Sequence, residues 1–254
     1  MVPPVLQETW VGSHKIDEVS HAGELEYEVP VAKRTPAREL MIAAAERLFA
    51  EHGIDGVSLR EVAAEAGQRN NSAAQYHFGN KEGLVRAVFE HRIAEIDDRR
   101  RQMVAELDAA GRGTDLRGLV EAAVHPLVEF VLAQPEKSWA LRFLAQLVVS
   151  PELHKVDLLD LSYAPGIRTV VERVIESLRH LPSWLREQRL RQATFLIVHS
   201  LADGERGVRA GDEASAARLR LLGNHLVDTT VALLTAEVSE TTRAALAAAE
   251  SQTV

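Results

Sequence analysis

From Thr35 onward, apolar residues recur at three- and four-residue spacing, and no run alternates with the period of two that a half-buried strand needs. That periodicity predicts an all-α chain. Glycine and proline divide it into segments: Gly53, Gly67, Gly79-Asn80, Gly111 to Gly113, Pro135, Pro151, Pro165-Gly166, Pro182 and Gly204 to Gly211. A chain of 254 residues with 46% hydrophobic composition can bury one large core, or a small and a medium one.

Local signals set the first elements. Thr35 is a predicted N-cap with Pro36 at the first helical position, and Leu40, Ala43, Ala44, Leu48 and Phe49 follow at helical spacing up to Gly53. Ser58 with Glu61 three residues later makes a capping-box signature for a second short helix ending at Gly67. Lys81 opens a long helix carrying Leu84, Val85, Val88, Phe89 and Ile93. Further helices are predicted over 115–133, 135–149, 165–181, 183–202 and 213–237. The first 32 residues, with two early prolines and little periodicity, read as a disordered tail.

Between the second and fourth helices lies "AEAGQRNNSAAQYHFGNKEGL", residues 64–84, whose middle is polar and aromatic where a core helix would be apolar. Three short helices with a tight glycine-bearing turn before the third match a helix-turn-helix unit, whose last helix offers its first turns to the DNA major groove. Asn and Gln amides can pair bidentately with adenine, while Ser, Tyr and His can donate to phosphate. Ala73 and Ala74 keep the helix slim, so that one can pack inward and the other meet a thymine methyl. The competing reading of Asn71 or Ser72 is a helix cap.

Charge distribution bears on this more than the net charge of −8. Residues 1–32 hold six acids against Lys15 alone, whereas residues 33–95 hold nine bases and nine acids. The segment of interest is therefore less acidic than its surroundings.

The runs "AAAERLFAEHGIDGVSLREVAAEAG" and "YHFGNKEGLVRAVFEHR" resemble the DNA-binding domain of the tetracycline-repressor (TetR) family of bacterial regulators, over residues 36–89. The resemblance implies a helix-turn-helix domain over 33–80 and a helical ligand-binding and dimerisation domain over 81–254. It implies DNA contacts at Arg60, Asn71, Ser72, Ala73, Gln75 and Tyr76, with phosphates held by His77 and Lys81. Lys33 and Arg34 are expected to act as a basic arm. Arg69 and Asn70 are expected DNA contacts too, but the stretch between Gly67 and Tyr76 is one residue longer than the family pattern, leaving the register of Arg69, Asn70 and Asn71 open by one position.

The same resemblance implies a homodimer on a palindromic DNA operator, with a seam expected from Val198, Leu201, Leu219, Leu222, Leu226 and Val227. It also implies a small hydrophobic effector, with His125, Phe130, Trp139, Arg142, Phe143, Gln146 and His199 as candidate ligand-binding residues. The alternative is a ligand-independent helix-turn-helix DNA binder or activator.

Enzyme classes find little purchase. The chain has no cysteine, no HExxH pair, no glycine-rich phosphate loop and no GxSxG elbow, so no catalytic residue, cofactor or metal is expected. Neither a signal-peptide pattern nor an apolar run of about 18 residues occurs, so a cytoplasmic protein without a membrane span is expected.

Overall fold

The computed structural model describes residues 36–70, 72–134, 138–150, 164–208 and 211–250. The predicted tail, the Thr35 cap, Lys33, Arg34 and Asn71 lie outside the described residues. Among those residues the structure is helical without strands: α1 (Pro36–His52), α2 (Leu59–Glu65), α3 (Ala73–Phe78), α4 (Lys81–Ala109), α5 (Leu116–Ala133), α6 (Ala140–Val149), α7 (Pro165–Ser177), α8 (Ser183–Gly207), α9 (Glu213–Thr235) and α10 (Glu240–Glu250). The all-α expectation holds. The predicted helix 183–202 continues to Gly207, and the helix from 213 ends at Thr235 rather than Glu237.

The first three helices form a head. Met41, Ile42, Ala45 and Phe49 are fully buried along one stripe of α1, which packs on α2, α4 and α6. Glu46 lies on the buried side too, and Arg92 of α4 grips it through Nε at 2.9 Å and Nη2 at 2.6 Å. Burial pushes the Glu46 carboxyl above the ordinary glutamate value, against the lowering effect of Arg92. The head also meets the bundle through aromatic rings, since Phe49 stacks on Phe143 of α6 at 6.0 Å.

Two long helices, α8 and α9, pack on each other; α9 also covers α5, and α8 covers α6. Leu201, Leu219, Leu226 and Val227 are at most 2% exposed and belong to the chain's own core. This corrects the expected seam. A half-buried residue lends only part of its surface, as Val198 and Leu222 do. What faces outward instead is His199, stacked on Phe195, and Leu221, which is 69% exposed.

Buried charges tie these helices at long range. Glu205 of α8 is 1% exposed and caps the start of α6, accepting from Leu141 N (3.2 Å), Arg142 N (3.1 Å) and Arg142 Nε (3.2 Å). A carboxylate at a helix N-terminus satisfies orphan amides and meets the favourable end of the helix dipole. Arg189 of α8 does the converse at the end of α9, donating to Leu234 O at 2.6 Å and to Ala236 O.

Candidate nucleic-acid interface

Backbone chemistry holds α3 in place. Ser58 Oγ accepts from Glu61 N at 3.2 Å while Glu61 Oε2 accepts from Ser58 N at 2.7 Å, so the predicted capping box starts α2. Those bonds, side-chain first, hold the Glu61 carboxyl below its ordinary value. Val62 and Ala63 face inward, and α2 ends where Gly67 takes φ 68°, in the left-handed region that a side chain disfavours. Gln68 N then reaches back to Ala63 O at 2.9 Å, closing the turn.

Asn70 makes the next turn. Its Oδ1 accepts from Ser72 N at 2.9 Å, and its carbonyl accepts from Ala73 N at 3.0 Å. The helix proper begins only at Ala73, and Ser72 makes no capping bond. The side-chain bond expected of a cap at Ser72 is therefore supplied by Asn70 at this turn. An Asn two residues before a Ser is the available signal for it.

Within α3 the two faces separate cleanly. Ala74 (0% exposed) and Phe78 (9%) point into the head, while Ser72, Gln75 and Tyr76 are exposed, Tyr76 by 86%. Ala73 is half-buried against the core, so Ala74 is the alanine that packs fully inward. His77 is half-buried and meets the Tyr76 ring edge-on at 5.1 Å. Arg38 of α1 lies over the Phe78 ring at 5.5 Å, a support that sequence spacing does not reveal.

The basic residues surround this helix differently. Arg60 and Arg69 are exposed, on α2 and in the turn. Lys81 is half-buried, and its Nζ donates to Asp55 O at 3.0 Å, tying the start of α4 to the loop before α2. Asn80 caps α4, its Oδ1 accepting from Gly83 N at 2.8 Å.

The residues expected to bind a ligand are not gathered in one place. Arg142 lies over the Trp139 ring at 3.8 Å and gives its guanidinium to Glu205 and to Ser138 O at 2.6 Å. Phe143 and Gln146 sit on the side of α6 that meets α1, Gln146 beside Gly53. Phe130 is buried on α5 with Arg92 over its ring at 5.9 Å. His125, also on α5, has a buried Nε2 without a hydrogen-bond partner. His199 is exposed on α8, away from any interior.

An α3 whose inner face is sealed and whose outer face is polar, mounted on a helical bundle, is the build of a helix-turn-helix regulator. Residues 41–88 match the family described as "Bacterial regulatory proteins, tetR family". Over this segment the chain is similar to the DNA-binding part of that family's transcriptional regulators. No match is found among the curated proteins.

Several solved structures are similar. The fatty acid degradation regulator FadR from Bacillus halodurans is 18% identical, with 77% of this chain and 96% of that one covered, at a TM-score of 0.48. A TetR family transcription regulator from Marinobacter aquaeolei VT8 is 22% identical, with 76% and 94% covered and a TM-score of 0.47. A putative tetR family regulator from Shewanella sp. PV-4 is 20% identical, with 76% and 98% covered and a TM-score of 0.49.

Proposed function

We propose that the chain is a cytoplasmic, sequence-specific repressor that binds a palindromic operator as a homodimer and releases it on binding a small hydrophobic effector. The observation that carries the reading is the outer face of α3, where Gln75 and Tyr76 stand exposed above a sealed Ala74–Phe78 face. In this reading residues 33–80 are the DNA-binding domain and residues 81–254 the effector and dimerisation domain. Gln75 reads a base edge, and Ser72, Tyr76 and His77 contact phosphates or neighbouring bases. Arg60, Arg69 and Lys81 supply positive charge, joined by Lys33 and Arg34 ahead of α1.

Two heads reading one palindrome need a two-fold partner. The outer faces of α8 and α9, with Phe195, Val198, His199 and Leu221, supply that seam. Replacing Leu221 and His199 together by Glu should convert the dimer to a monomer in sedimentation and abolish tight operator binding. A monomer that still binds operator tightly would remove the dimer from the proposal. For the effector, the unpartnered Nε2 of His125 offers a hydrogen bond inside the bundle.

Selection of bound sequences from a random DNA pool tests the whole reading. Gln75→Ala should lower discrimination at one operator position by about 1–3 kcal/mol. Lys81→Ala should weaken binding to all sequences and reduce the salt slope by about one. Both variants binding the selected operator like the parent, with the fold intact, would overturn the assignment of α3.

A further inference from the structure

The most unusual feature of the bundle is a proline inside α5. Pro126 has no N–H, so the carbonyl of Ala122, four residues earlier, lacks the partner a helix would provide. Arg100 of α4 takes that carbonyl, with Nε at 3.1 Å from Ala122 O. Its Nη1 pairs with Asp97 at 3.1 Å, and both side chains are 3% exposed. Asp97 in turn caps α7, accepting from Gly166 N at 2.7 Å and Ile167 N at 2.8 Å. A Cβ on Gly166 would lie 2.9 Å from Asp97 Oδ1, so only glycine lets the carboxylate approach this closely. One buried ion pair thus holds α4, α5 and α7 together, and its third anchor exists because of the proline.

The other end of α4 is held differently. Arg92 grips Glu46 of α1, which fastens the first three turns of α4 to the head. Between the two ties lies a single turn, Ile93 to Ile96. The aromatic contact between head and bundle, Phe49 on Phe143, is apolar and carries no directional bond.

We infer that Pro126 and Arg100 form a joint: α4 is anchored to α5 through the carbonyl the proline leaves open, so a change in the shape of α5 at Pro126 is passed to α4 and, across one turn, to the head. The step to the head rests on the regulator reading above; the joint itself does not. An effector that altered α5 near His125, the residue preceding the proline, would act directly on it.

A double-mutant cycle on unfolding by denaturant tests the joint without DNA. Arg100→Met strands Ala122 O in the parent, whereas in a Pro126→Ala background the new N–H of residue 126 satisfies it. The loss in folding equilibrium constant caused by Arg100→Met should therefore be at least about tenfold smaller in the Pro126→Ala background, within the coupling expected of residues sharing a partner. A parent-background variant that fails to fold, beside a double variant that folds, supports the joint equally. Equal losses in both backgrounds overturn it.

Hydrogen exchange of Pro126→Ala alone supplies the second reading. Amides of residues 93–101 and of the first turn of α7 should lose protection while α5 gains it. Change confined to α5 overturns the coupling to α4. Operator affinity of Pro126→Ala is the last arm and should shift severalfold, although residue 126 lies on α5 and outside the head. An unchanged affinity overturns transmission to the head, while a parent that binds no operator marks failure of the regulator reading instead.

Discussion

The head and the bundle handle polar groups in opposite ways. In the head, most bonds that shape the structure are local: Ser58 with Glu61, Asn70 with Ser72, Asn80 with Gly83. In the bundle the buried carboxylates that cap helices cross 60 or more residues, from Glu205 to the start of α6 and from Asp97 to the start of α7. The difference follows from burial. The head's caps are near water and each satisfies one or two orphan amides, whereas the bundle's carboxylates are sealed and must satisfy several donors at once. The head can therefore leave its outer polar face unused by its own fold. The bundle commits its buried carboxylates to holding helices in register.

The comparison can be broken most sharply at Glu205. Removing this carboxylate leaves Arg142 buried and unpaired there, with two amides of α6 unsatisfied, and one-sided loss from a buried pair typically costs about 3–5 kcal/mol. Glu205→Ala should lose that much stability in chemical denaturation. Glu205→Gln, which keeps an oxygen for the α6 amides, should lose clearly less. Equal losses for the two variants would show that charge alone, and not capping, is what Glu205 provides.

A smaller effect is expected where the two regions meet. Glu46 is 4% exposed but Arg92 keeps a fifth of its side chain in water, so Glu46→Ala, which leaves the Arg92 guanidinium no acceptor there, should cost less than Glu205→Ala, about 2 kcal/mol. The pH dependence has a definite sign. The folded carboxyl binds its proton more tightly than an ordinary glutamate, so the cost of keeping it ionised is fully present above its raised folded value. Lowering the pH through that value relieves the cost and favours the folded state until the ordinary glutamate value is passed. Stability curves of the parent and Glu46→Gln should therefore diverge in slope just above the ordinary glutamate range; parallel curves there would contradict the raised value.

This contrast also explains what can be read in advance. The capping box at Ser58, the stop at Gly67 and the break at Gly79-Asn80 are short-range signals, and each stands where the sequence places it. Helical period alone finds the bundle helices to within a few residues. It does not say which apolar stripe turns inward, and so assigns Leu201, Leu219, Leu226 and Val227 to an outer seam although they are buried. Nor does it find partners separated by scores of residues. Arg142 is expected among the ligand contacts, yet its buried partner Glu205 lies 63 residues away. Pro126 is visible in the sequence, but the α4 arginine that takes up the carbonyl it leaves open is not.

The finest test lies inside the head, at the turn before α3. Asn70 accepts from Ser72 N, whereas the Ser72 hydroxyl makes no capping bond. Asn70→Ala should cost about 1 kcal/mol, the usual worth of a side-chain cap, and Ser72→Ala only a few tenths. DNA binding should order them the other way if the Ser72 hydroxyl faces a phosphate, because Asn70 is already occupied by the turn. Thermal denaturation and operator titration of the same two variants give both rankings. Should Ser72→Ala prove the more destabilising, Ser72 would be the cap after all, and its hydroxyl would no longer be available to the DNA face.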